Sequence, residues 1–159
     1  MSQLVKETEA GLRRAERKGL TAVFRLNGTS DLRWENVEVQ RDGVNYPNIM
    51  TAFPDVQFYD YTKIPNRRRL SANYDLTFPA NYDLTFSLAE SNRADAIAAL
   101  ASGLNVAAVF RKVLPASYLG CPVVNGDESD LRFLDERGVI VGLTAKGKAK
   151  KDTSGFVID

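Results

Sequence analysis

The word SDLR occurs twice, at 30–33 and at 129–132, each time just beyond a strand-like segment. Aspartate beside arginine suits two kinds of chemistry. Two matched Asp/Arg sets facing one cleft could hold a polar substrate, and Asp31, Asp127 and Asp130 could offer oxygen ligands to a divalent ion. The plainer reading is local: Ser or Asp caps a helix and the arginine makes a surface pair. A second motif, GLTAKGKA at 142–149, nearly spells the phosphate loop G-x-x-x-x-G-K-[ST] after a strand. Ala149 stands where that loop needs a hydroxyl, and Lys150, Lys151 and Gly155 make a poor start to its helix. What survives is a positive patch of Lys146, Lys148, Lys150 and Lys151 able to meet phosphate, or else a solvated basic tail.

Other chemistries are limited by what is missing. The chain of 159 residues has no histidine and one cysteine, Cys121. An intrachain disulfide, a Cys/His zinc site, a histidine-based relay and an iron–sulfur cluster held by this chain's own thiolates are therefore excluded. A net charge of +1 favours neither nucleic acid nor membrane, and no apolar run approaches the ~18 residues of a membrane span. The charged N-terminus lacks the apolar core of a secretory signal, so the cytoplasm is the expected compartment.

The elements that must position these residues follow from periodicity. Hydrophobic content of 44% over this length suits one α/β domain spanning 1–159. Leu4, Val5, Thr8, Leu12 and Ala15 recur at helical spacing, which predicts a helix within 1–19. Strands are expected in 22–28, 56–62, 82–87, 105–110, 121–126 and 139–143. Ser91 or Asn92 would cap a helix running to Gly103, another short helix is expected in 127–138, and 145–159 reads as a basic tail. Strands alternating with helices predict a mostly parallel sheet of about six strands, an open sheet or partial (β/α) barrel, flanked by helices.

One stretch is duplicated: ANYDLTFP at 72–79 is followed at once by ANYDLTF at 80–86. The eight-residue offset keeps the same side chains on the same strand face. The second copy runs straight into a helix, so 82–87 is placed in the sheet. The first copy could form a hairpin, an edge strand or a loop, and a surplus strand could pair two subunits through 72–87.

The segments RLNGTSDLRWE, FPDVQFYDYTKIPNR, NYDLTFSLAESN, VVNGDESDLRFLD and GVIVGLTAKGKAKKDTSGFV resemble a largely uncharacterised family of phage- and plasmid-type proteins, from about Phe24 to Val157. The resemblance implies a barrel-like fold and longer relatives with a Cys-containing N-terminal portion that this chain would lack. It also implies a histidine where Asp83 stands, and it implies no particular activity. If the chain is phage-encoded, its compartment is the host cytoplasm.

In parallel α/β folds ligands gather at the carboxyl ends of strands. There the sequence offers Arg25, Asn27 and Asp31 after the first strand, Asp60 and Lys63 on and after the second, and Arg111 after the fourth. Asn125, Asp127, Asp130 and Arg132 follow the fifth, and Lys146 and Lys148 the last. The expected function is binding of an anionic ligand, a nucleotide or nucleic acid, with Arg25, Arg111, Arg132 and Lys146 holding it. The rival is an enzyme in which Asp60, Asp127 or Asp130 acts as base or metal ligand on a polar substrate. A third reading is an inactive barrel fragment that self-associates. No residue set is specific enough to assign a metal centre or a cofactor.

Overall fold

The computed structural model describes residues 3–67 and 78–159. Its main sheet has eight strands. They are β1 (Val23–Arg25), β4 (Gln57–Thr62), β5 (Tyr82–Ser87), β6 (Asn105–Phe110), β7 (Ser117–Tyr118), β8 (Cys121–Asn125), β9 (Ile140–Thr144) and β10 (Val157–Ile158). The order is β1-β4-β5-β6-β9-β8-β7, with β10 paired to β6. β2 (Val39–Arg41) and β3 (Val44–Tyr46) form a separate antiparallel pair. The α-helices among the described residues are α1 (Gln3–Glu16), α2 (Ile49–Ala52) and α3 (Arg93–Ala101).

This corrects the expected architecture. Among the described residues the main sheet has eight strands instead of about six and forms no closed barrel, and the helices are too few to flank it. The undercount has a simple cause: β7 and β10 are two residues each, too short to carry any period. The helix shortfall lies in the connections. Among the described residues only α3 joins neighbouring parallel strands as a full α-helix, between β5 and β6. Between β8 and β9 the expected helix is a single 3-10 turn, Arg132–Leu134, in a segment rich in Asp, Glu and Gly. Serine there bonds to nearby backbone, the Ser129 hydroxyl accepting the Leu131 N–H at 3.1 Å.

The chain divides into two compact units, 1–60 with 70–83, and 61–69 with 84–159. In the first, α1 buries Val5 and Thr8. Gly11 is required by a close approach: a Cβ there would lie 2.7 Å from the Phe24 ring. The β2–β3 hairpin turns on Asp42 and Gly43, both in the left-handed region at φ 50° and 79°. That is the two-residue Asp-Gly turn whose twist matches paired strands. Asn48 caps α2 by accepting the Thr51 N–H at 2.9 Å, while the Thr51 hydroxyl closes the reciprocal bond. Asn81, in the second copy of the duplicated word, donates to the carbonyls of Met50, Phe53 and Val56, and its own carbonyl accepts the Phe58 N–H at 2.8 Å. The second copy continues as β5. In the first copy, residues 72–77 lie outside the described residues, so the expected pairing of subunits through 72–87 does too.

In the second unit β6 is the organising strand. Val106, Ala108 and Phe110 are buried, and Val106 to Phe110 pair in parallel with Ile140 to Thr144 of β9. Each fully buried Val or Phe contributes about 1.5–3 kcal/mol. β5 pairs with β6 from Asn105 to Ala107, and β10 takes over beside Val109 and Phe110. β8 runs parallel to β9, with Asn125 beside Gly142. The carboxyl ends of β6, β8 and β9 therefore finish nearly level. The segment 145–159 forms a 3-10 helix, Gly147–Lys151, and then β10.

Candidate functional site

The sequence-predicted residues fall into two groups, one in each unit. In the first unit, Asp60 is completely buried on β4, a strand enclosed along most of its length. Its carboxylate accepts the Asn27 backbone N–H at 2.7 Å, the Asn27 side-chain amide at 3.2 Å and the Tyr82 hydroxyl at 2.7 Å. Asn27 is a hub in turn. Its side-chain oxygen accepts from the Ser30 hydroxyl, the Leu32 N–H and the Trp34 indole N–H. Its amide also donates to the Leu32 carbonyl. Arg25 donates to the Asn27 carbonyl at 3.2 Å. These bonds close the loop after β1, which otherwise has no regular structure to satisfy its backbone. Asp31, on this loop, is half-buried.

In the second unit, a cleft of about 550 Å³ opens beyond the carboxyl ends of β6, β8 and β9. Val109, Leu143, Ala149 and Phe156 are among its apolar lining residues, and Asp127, Glu128, Asp130, Thr144 and Lys146 among its polar ones. Asp127 accepts the Thr144 N–H at 2.9 Å and the Lys146 ammonium at 2.8 Å. The Lys146 hydrogen bond, then the Thr144 N–H, hold the Asp127 carboxyl below its ordinary value of 3.8. A carboxylate held down in this way is an acceptor before it is a base at neutral pH. Asn125 shapes the turn, accepting the Asp127 N–H and donating to Glu128. Lys63 lies with its ammonium 5.7 Å from the Phe156 ring centre, a cation–π contact at the same aromatic residue that lines the cleft. Lys148 is exposed on the short helix.

Arg111 and Arg132 are both occupied, in different ways. The Arg111 guanidinium pairs with the Asp159 carboxylate and donates to the carbonyls of Lys150 and Asp152, tying the C-terminal segment to the end of β6. Asp152 shapes the same segment. Its carboxyl is lowered by the Ser154 hydroxyl, then by the Val157 N–H. Arg132 is 1% exposed and lies against the cleft residues Gly126 and Ser129. The twin SDLR words thus differ: Arg33 is exposed and Arg132 is buried. Neither word caps a helix through a side-chain hydrogen bond.

Sequence reasoning missed the lining residues Glu128, Ser129 and Phe156, and it missed Tyr82 as a partner of Asp60. Phe156 carried a signal in retrospect: a lone aromatic following Gly155, whose φ of 94° reverses the chain. Among the described residues, no group of three or more His, Cys, Asp or Glu side chains gathers to hold a metal ion, and no helix is long and apolar enough to cross a membrane.

The model of one protein family, gene product 88, matches residues 1–159, the whole chain. The chain belongs to the gene product 88 family. This is a phage-type family, which agrees with that part of the resemblance read from the sequence. No curated protein and no solved structure matches the chain. Family membership brings no ligand or activity with it, so the site must speak through its own geometry.

Proposed function

We propose that this protein binds a small phosphate-bearing ligand, of nucleotide size, in the cleft beyond β6, β8 and β9. The observation that carries the reading is the lysine-bearing lip. Lys146 lines a cleft that also presents Phe156, and the 3-10 helix Gly147–Lys151 that follows it carries three more exposed lysines. Lys146 is 76% exposed yet oriented by Asp127, so its charge stands at the cleft mouth in a fixed direction. The volume falls in the ~300–1,000 Å³ range of small-molecule sites. Asp127, Glu128 and Asp130 would repel phosphate from their part of the cleft while accepting hydrogen bonds from sugar hydroxyls or base amino groups. A polar ligand with a charged end and a neutral, donor-rich end fits this division.

The test is calorimetric titration with adenosine 5′-monophosphate and, separately, with a single-stranded oligonucleotide, each at low and high salt. The expected result is saturable nucleotide binding that weakens with salt, with Kd raised about tenfold when Lys148, Lys150 and Lys151 are all changed to Gln. Binding of the oligonucleotide alone would replace the small ligand with a strand. Affinity indifferent to salt, or no binding of either probe, would overturn the reading.

A further inference from the structure

We infer that Arg132 is the inner anchor of this site, its buried guanidinium donating a hydrogen bond to an oxyanion of the bound ligand; the inference rests on the phosphate-binding reading of the cleft. Arg132 is the largest of the fully buried side chains among the described residues. Arginine is rarely enclosed so completely unless its charge and its donors are matched. Here the matching is partial. Nη2 donates to the Ser129 carbonyl, and Nε lies 3.3 Å from an Asp135 carboxylate oxygen in an ion pair. Nη1 is buried and has no hydrogen-bond partner.

The position of that orphan donor links it to the cleft. A Cβ on Gly126 would come within 2.9 Å of Nη1, 2.5 Å of Val141 and 2.9 Å of Leu143, so Gly126 packs directly against this nitrogen, which lies behind the cleft lining. Gly126 lines the cleft, and so does Ser129, whose carbonyl Arg132 already holds. An unsatisfied buried donor is destabilising, and in native structures such a group calls for a partner. A planar cation with an open N–H selects a carboxylate or phosphate oxygen over a neutral acceptor. The lysines at the lip would attract any anion. Arg132 would select one whose charged end is small enough to reach the guanidinium behind the cleft lining, which a phosphodiester lying along the lip cannot do. Ligand discrimination would then reside in the buried arginine, and the salt-dependent capture in the lysines.

The experiment uses the whole chain labelled with ¹⁵N-arginine and observes the guanidinium signals by NMR during titration with adenosine 5′-monophosphate and with inorganic phosphate. The Arg132 signal, assigned by its loss in Arg132→Lys, should shift along the same curve that calorimetry gives for binding. Arg132→Lys should weaken nucleotide affinity about 10- to 100-fold while the lysine-dependent salt response remains. Nucleotide binding that leaves the Arg132 signal unmoved would overturn the inference and leave the function standing. A wild-type protein that binds neither probe would remove the function itself, and the inference with it. If Arg132→Lys does not fold, assignment through Arg→Lys changes at the other arginines leaves the wild-type titration decisive.

Discussion

Asp60 and Asp127 are the same residue type, one within a strand of the main sheet and one just past the end of another, yet the protein uses them in opposite ways. Asp60 lies within β4, sealed from solvent, and all three of its described hydrogen bonds come from groups that are themselves fixed. Asp127 lies past the end of β8 at the surface, held by one backbone N–H and one exposed lysine. The first arrangement is spent on architecture: it closes the loop after β1 through Asn27. The second leaves a charge pair poised at a cleft, where a ligand can exchange with it. Position along a strand decides between them, because burial of a carboxylate demands full hydrogen-bond matching and exposure does not.

If this contrast is right, the largest effect comes from the buried side. Asp60→Ala should destabilise the protein by about 3–5 kcal/mol in urea unfolding, since it leaves the Asn27 and Tyr82 donors without their shared acceptor. An effect below about 1 kcal/mol would show that the network is not needed to hold the loop. Tyr82→Phe isolates one of the three bonds and should cost about 1–3 kcal/mol, the range for leaving a buried polar group short of a partner. Asp127→Asn, at the surface, should change stability by less than about 1 kcal/mol while altering nucleotide affinity, because it frees Lys146 from its partner.

The smallest effect is on pH dependence. Asp127's folded-state carboxyl is lowered from 3.8, so its stabilising contribution is fully present above that value and is lost as the pH falls through the lower, folded one. The stability gap between wild type and Asp127→Asn should therefore be constant near neutrality and shrink below about pH 4, as melts across an acid series would show. A gap that widened on acidification would contradict the hydrogen bonds assigned to this carboxylate.

Much of the second unit was legible in the sequence because its strands are continuous apolar runs. NVAAVF and VIVGL announce β6 and β9, and a residue that follows such a run lands at its carboxyl end. Asp127 and Lys146 were reachable by that logic even though 19 residues separate them. The rest failed for reasons of range and length. Asn27 and Asp60 meet across 33 residues, and no local pattern records that contact. Arg132 reads as a surface arginine because SDLR is polar, whereas its burial depends on Gly126 leaving room for it. The β2–β3 hairpin is a different kind of miss. Asp42-Gly43 between short alternating segments was a visible turn signal, overlooked because three-residue strands carry little periodicity.

The central claim is that ligand chemistry belongs to the cleft beyond β6, β8 and β9, and amide chemical-shift mapping during a titration with adenosine 5′-monophosphate tests it most directly. The account predicts that perturbed amides concentrate at 126–130, 143–149 and 156, with the Asn27 loop unchanged. Perturbations centred on residues 27–34, or none at saturating nucleotide, would contradict it.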